Sequence, residues 1–258
     1  MRSSIDIPRR CGAGRGRRIA VTAVPLRIGG GRLMGTVLLI PGSFEGEWVY
    51  TEVAERLGSD GHQVFPVTLS GLEADPAARR PAPVNLDDHI ADVVSFVTGR
   101  GLDDLVVCAH SYGGMVLRGV CAALPERCRG AIYVDAFLPE PGESCWMLLN
   151  DPLREGFGAL GAADGHTLAP PPGADPRSAP HPVASLLQAS RAGAPAPWIR
   201  HAYIYAGGWR ATPFTETYER LSADPAWETY SVFTNHEIMR SNPEILADLL
   251  HKIMVNWD

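Results

Sequence analysis

LVVCAHSYGGMVLRG, Leu105 to Gly119, is the stretch on which the reading of this chain turns. Leu105 to Ala109 are apolar and partly β-branched, which suits a buried strand. His110, Ser111, Tyr112 and two glycines follow, and Met115-Val116-Leu117 then continues as a helix. A serine at a sharp strand-to-helix turn, with small residues two places to either side, has the pattern of a nucleophile elbow. The flanks are small because the serine backbone is strained and strand and helix crowd together there. Ala109 stands where the pattern usually has glycine, a change of one methyl. The plainer alternative is a strand-to-helix loop with an incidental serine.

The rest of the chain tests that reading. At 258 residues it is one sizeable domain with room for a small insertion. Its 45% hydrophobic and 20% charged content is that of an ordinary globular protein, and no run of about 18 apolar residues suggests a membrane span. A net charge of −6 gives no reason to expect nucleic acid or a membrane as partner. Residues 1–32 nevertheless hold eight arginines against the single acid Asp6. The apolar run Ile19–Val24 inside that segment is too short for a secretory signal and is followed by Pro25 and Arg27. Five cysteines (11, 108, 121, 128 and 145) lack CxxC spacing. That pattern points to free thiols in a reducing cytoplasm, without zinc or another metal. The oligomeric state is left open, a homodimer included.

Taken in order, residues 1–18 read as disordered, Ile19–Ile28 as a first strand and Gly29–Gly31 as a turn. Residues 1–33 are thus expected to be a flexible basic segment, with Met34 a candidate true start. Thr36–Ile40 is an uninterrupted apolar strand of the kind covered on both faces. Trp48–Leu57 reads as a helix, His62–Val67 as a strand, and Gly71–Val84 as a proline-rich loop. Asn85 caps a helix over Leu86–Gly99, with Asp87 and Asp88 in the first turn. Gly130–Asp135 is the next strand. From Pro139 to about Trp198, Pro, Ala and Gly dominate, so residues 139–199 read as an inserted cap with a brief helix at Val183–Ala189. His201–Ala206, Thr215–Leu221, Glu228–Phe233 and Pro243–Val255 complete the strand–helix alternation. The core is therefore 34–138 plus 200–258, an α/β fold with a mostly parallel sheet and helices on both faces. Sites in such sheets lie beyond the carboxyl ends of the strands. Pro41–Phe44, Ser111, Asp135 and Asn235-His236 all fall there.

A serine hydroxyl needs a nearby base to become a nucleophile. Of eight histidines, His236 is the best placed, in a loop after the last strand. His110 is expected to point away from it. His62, His89 and His251 are expected beside surface helices and turns, while His166, His181 and His201 lie in or near the cap within reach of a substrate.

At this point the chain resembles the α/β-hydrolase superfamily, and within it the small esterase and hydroxynitrile-lyase-like group. VLLIPGSFEGEWVY (37–50) resembles that group's strand and HGAxxGxWxW segment, and CAHSYGGM (108–115) its GHSxGG elbow. IYVDAFLPEPGES (132–144) resembles the entry to its cap, and NHEIMRSNPEILADLL (235–250) its GHxxM ending. The resemblance runs from Thr36 to Trp257, least closely in the cap, and implies no cofactor. It implies an oxyanion hole made by the N–H of Tyr112 and that of Ser43 or Phe44, donors worth roughly 3–4 kcal/mol each in acyl transfer. Gly42 would let backbone and substrate approach closely, and Pro41 replaces the group's usual histidine.

The chain departs from the group in one respect. The loop Ala206-Gly207-Gly208-Trp209-Arg210 lacks the aspartate usual there. An imidazole without a carboxylate loses tautomer control and imidazolium stabilisation. Asp135, which ends the strand after the elbow, can supply it. Glu216 or Glu237 could reach inward, but both suit solvated faces. Otherwise the site works as a Ser–His dyad or does something other than hydrolysis. Phe137, Trp146, Phe157, Trp198 and Trp209 could line an apolar pocket, with Gly42 beside it.

Two reactions remain open at this stage. One is hydrolysis of a small, apolar or aromatic ester, lactone or related acyl compound through Ser111, His236 and Asp135. The other is a lyase, elimination or cyclisation step of secondary metabolism with His236 as general base. A ligand-binding relative without turnover is a third reading.

Overall fold

The computed structural model describes residues 34–80, 83–161, 164–209 and 212–258. The expected strand Ile19–Ile28, the turn at Gly29–Gly31, Cys11 and the rest of 1–33 lie outside the described residues.

Alternating sides of each strand decide the architecture. In β1 (Gly35–Ile40), Val37 and Leu39 face one way and Leu38 and Ile40 the other, and all four are fully buried. Burial of such side chains is worth about 1.5–3 kcal/mol each, so a strand apolar on both faces must sit between two layers of helix. A 3₁₀ turn over Glu47–Tyr50 leads into α1 (Thr51–Ser59), followed by β2 (His62–Pro66). α2 (Leu86–Arg100) starts at Asn85, whose side chain accepts from the Asp88 N–H while Asp88 answers to the Asn85 N–H. This capping box satisfies two N-terminal amides.

β3 (Leu105–His110) and α3 (Gly113–Ala123) flank the serine turn, and β4 (Cys128–Val134) follows. The segment after β4 contributes α4 (Cys145–Leu148), α5 (Asp151–Ala159), the two-residue strands β5 (Thr167–Leu168) and β6 (His181–Pro182), and α6 (Val183–Leu187). β7 (Arg200–Ala206), α7 (Phe214–Ser222), β8 (Trp227–Val232), α8 (Ile238–Ser241) and α9 (Pro243–Asn256) complete the chain.

The main sheet runs β2-β1-β3-β4-β7-β8, every pair parallel, while β5 and β6 form a separate antiparallel pair. α2 and α3 cover one face through Val93, Phe96, Val97, Met115 and Val116. α1 and α9 cover the other through Val53, Leu57, Leu246, Leu250 and Met254. This is the parallel α/β architecture the alternation implies. The strand expected to reach Phe233 stops at Val232, and the Phe233 side chain is 91% exposed. Cys108, Cys121, Cys128 and Cys145 are buried free thiols. Among the described residues no helix is long and apolar enough to cross a membrane.

Candidate active site

The site lies at the carboxyl ends of β1, β3, β4 and β7 together with the loop after β8. Ser111 has φ +51°, in the left-handed region that a non-glycine residue occupies at a cost of about 1–3 kcal/mol unless its surroundings fix it. They do fix it: the Ser111 C=O accepts from the N–H groups of Gly114 and Phe137. A Cβ on Gly113 would lie 2.6 Å from the Pro41 oxygen, and one on Gly114 would lie 2.0 Å from the Phe137 oxygen. The two glycines after the serine are there because β1 and the chain beyond β4 pass within contact of α3.

His236 is held on several sides. Its Nδ1–H donates to Asp135 Oδ2 at 2.7 Å. Its ring stacks against Trp209 (4.9 Å between centroids) and against Phe214 (5.4 Å, 10° between planes), with His110 4.3 Å away. Asp135, fully buried at φ +43°, accepts two further bonds, from the Ala206 N–H at 3.1 Å and the Trp209 indole N–H at 3.2 Å. The carboxylate therefore enters from the end of β4, where Asp135 was one of three carboxylates considered from sequence, beside Glu216 and Glu237. The loop that lacks an acid supplies donors to it instead. Gly208 cannot carry a side chain, because a Cβ there would meet the Thr234 backbone at 2.5–2.9 Å. Its N–H donates to the Thr234 C=O at 2.9 Å, which ties this loop to the one that carries His236.

Ser43, Phe44, Glu45, His110, Ser111, Phe137, Phe157, Trp209, Phe214, His236 and Glu237 line one cleft, with about 590 Å³ of atom-free space, part of it open to solvent. Three expected pocket residues are not among its walls. Trp146 packs against the core instead, and Gly42 sits behind the cleft, where a Cβ would be 2.9 Å from His110 Nδ1 and 3.1 Å from the Ser111 Cβ. Gly42 thus serves close packing against the elbow. Trp198 is 61% exposed and bonds the Pro125 C=O, away from the cleft. The Phe44 N–H is already committed, donating to His181 Nδ1 at 3.3 Å. Of the two candidate amides beside Gly42, that leaves Ser43.

The histidines correct other expectations. His110 does not point away from His236; its Nε2–H donates to the His236 C=O at 3.0 Å, and burial pushes its pKa down to about 3. His62 and His89 are buried, not superficial. His62 pairs with His251 at 2.9 Å, and His89 bonds the Tyr112 hydroxyl and the Ser70 C=O. His166 is exposed and His201 stacks on Trp227. Glu216 is exposed as expected, but Glu237 is not. It sits against Glu45 near His110, and burial drives the Glu45 carboxyl well above its usual range while His110 and Glu45 lower that of Glu237. Phe214 and Glu45 were missed from sequence, since nothing in TPFTE or SFEGE distinguishes a site residue from a packing one. Among the described residues, His110, His236 and Glu237 place potential ligand atoms within 4.8 Å of one another, the one grouping with metal-binding spacing.

A parallel α/β sheet with a strained serine between strand and helix, and a carboxylate-bonded histidine beside it, defines the α/β-hydrolase class. The chain belongs to the alpha/beta hydrolase family, whose profile matches residues 37–252, and it is an enzyme of that hydrolase type. It is 31% identical over 240 residues to a carbendazim hydrolyzing esterase of Nocardioides sp. (strain SG-4G), covering 84% of this chain and 98% of that one. Polyneuridine aldehyde esterase of Rauvolfia serpentina is 29% identical over 109 residues, 42% of this chain and 40% of that one. Among solved structures, a pyrethroid hydrolase from Sphingobium faniae JZ-2 superposes with a TM-score of 0.69 at 19% identity, over 85% and 97% of the two chains. An extracellular α/β-hydrolase from a Paenibacillus species gives 0.68 at 22%, over 84% and 98%.

Proposed function

We propose that the protein is a serine esterase acting on a small apolar or aromatic ester or related acyl compound. Ser111 attacks the acyl carbon while His236 Nε2 takes its proton. The oxyanion that forms is met by the N–H groups of Ser43 and Tyr112, and His236 returns the proton to the departing alcohol. Water then repeats the sequence on the acyl-enzyme. Asp135 keeps the imidazole in the Nδ1–H tautomer and stabilises its protonated form. The observation that carries this reading is the 2.7 Å bond between His236 Nδ1 and the buried Asp135, at a cleft that also holds Ser111. The aromatic lining, with Phe44, Phe137, Phe157, Trp209 and Phe214, supports an apolar or aromatic acyl compound. The relatives named as esterases support ester chemistry.

The non-hydrolytic alternative drew its weight from a histidine without an acid, and Asp135 removes that motive. The test is covalent labelling. A fluorophosphonate probe is expected to add one equivalent to the wild type and none to Ser111→Ala, with mass spectrometry placing the adduct on Ser111. An unlabelled wild type, or full turnover of an ester by Ser111→Ala, would overturn the reading.

A further inference from the structure

Phe44 follows Ser43 with φ +69°, a conformation a bulky residue adopts only when held there. It is held from the segment inserted between β4 and β7. The Ala179 N–H donates to the Phe44 C=O at 2.8 Å, and the Phe44 N–H donates to His181 Nδ1 at 3.3 Å. The phenyl ring is edge-on to His181 and to Phe157 of α5.

The tautomer of His181 follows from its partners. The Ser185 hydroxyl donates to the Pro182 C=O at 2.8 Å, so at 2.9 Å it can only accept from His181 Nε2–H. Nδ1 is left with its lone pair, the acceptor that Phe44 needs. The ring is fully buried, and burial lowers its pKa well below the ordinary histidine value, so it stays neutral.

His181 also reaches the other half of the anion site. Its ring lies 4.8 Å from that of Tyr112, the residue after Ser111. The Tyr112 hydroxyl bonds His89 Nδ1 at 2.8 Å, and His89 Nε2 bonds the Ser70 C=O at 3.0 Å. One buried side chain of the insertion is therefore bonded to the peptide beside Ser43 and packed on the ring of Tyr112.

We propose that His181 is a positioning residue. Its Nδ1 fixes the Phe44 peptide and so aims the Ser43 N–H at the developing oxyanion, which makes seating of the insertion and completion of the anion site a single event. The proposal rests on the esterase reading above. Donors of this kind act through preset geometry, so loosening the loop lowers the rate of the chemical step more than substrate binding.

Two variants separate positioning from packing. His181→Leu keeps comparable volume and removes the acceptor, whereas His181→Asn can place its amide oxygen where Nδ1 stood. With p-nitrophenyl acetate, His181→Leu is expected to lose about 30-fold or more in kcat with KM within about threefold, and His181→Asn to recover most of that loss. The Phe44 amide is expected to exchange with solvent deuterium much faster in His181→Leu than in the wild type or His181→Asn. Equal losses in both variants, or a loss confined to KM or to Tm, would overturn the positioning role, as would unchanged Phe44 exchange in His181→Leu. Absence of ester turnover in the wild type would fall on the esterase reading instead, and the exchange measurement would still decide whether His181 holds the loop.

Discussion

The ends of β4 and β7 are neighbouring strand termini that meet the same histidine in opposite ways. β4 leads into Asp135, a carboxylate aimed at His236, and β7 leads from Ala206 into Gly207-Gly208-Trp209, which has no acid. The second terminus is adapted to the first. Its Ala206 N–H and Trp209 indole each donate to Asp135, while Gly208 leaves room for the loop that carries the histidine. Hence the carboxylate that bonds the histidine stands at one strand terminus, and the loop at the other supplies hydrogen-bond donors to it. Three bonds on one buried carboxylate also explain how a charge is tolerated at full burial.

Removing the charge at the first terminus tests the comparison most severely. Asp135→Asn keeps the shape but presents an amide to His236 Nδ1, favouring the wrong tautomer, and kcat is expected to fall about 10⁴-fold. Steady-state turnover of an ester accepted by the wild type measures this. A loss below about tenfold would mean that Asp135 is a structural aspartate and that the site runs without it.

The second terminus should matter less and in a graded way. Trp209→Phe keeps an aromatic ring against His236 but deletes the indole donor 3.2 Å from Asp135 Oδ2. A hydrogen bond to a charged group contributes about 1.5–3 kcal/mol, so kcat is expected to drop about 10- to 100-fold, with Asp135 still bonded by Ala206. If Trp209→Phe matched Asp135→Asn, the two termini would be equal partners and the assignment of the acid to β4 alone would fail.

The same contrast shows what sequence could and could not deliver. Strand β1, the elbow and the cap at Asn85 were legible because each depends on neighbours in the chain: a two-sided apolar run, small residues at fixed offsets, an Asn three residues before Asp88. Asp135 remained a choice among candidates, since its selection depends on a loop 71 residues away, between Asp135 and Ala206. Glu237 was misjudged for the same reason: a glutamate in a loop after the last strand looks solvated until the chain closes over it. Trp146 and Trp198 erred in the other direction, because composition marks a residue as aromatic but not which way it faces.

The smallest expected effect concerns pH, and it comes from the buried histidines. His62, His89, His110, His181 and His201 all have pKa values lowered from 6.5 chiefly by burial, to about 4 for His62 and His201 and about 3 for His110. A group with a lowered folded pKa refuses a proton that the unfolded chain accepts. As pH falls below about 6.5, the unfolded state is therefore favoured, by up to ~1.4 kcal/mol per pH unit for a fully buried ring such as His110. For a chain of this size each kcal/mol shifts Tm by about 2–4 °C. Thermal unfolding followed between pH 7.5 and 5 is expected to show no histidine-driven loss above 6.5 and a steepening fall below it. His62→Gln removes one of these groups and should flatten that fall. A Tm constant down to pH 5 would mean that the buried histidines take up protons in the folded state as readily as in the unfolded chain.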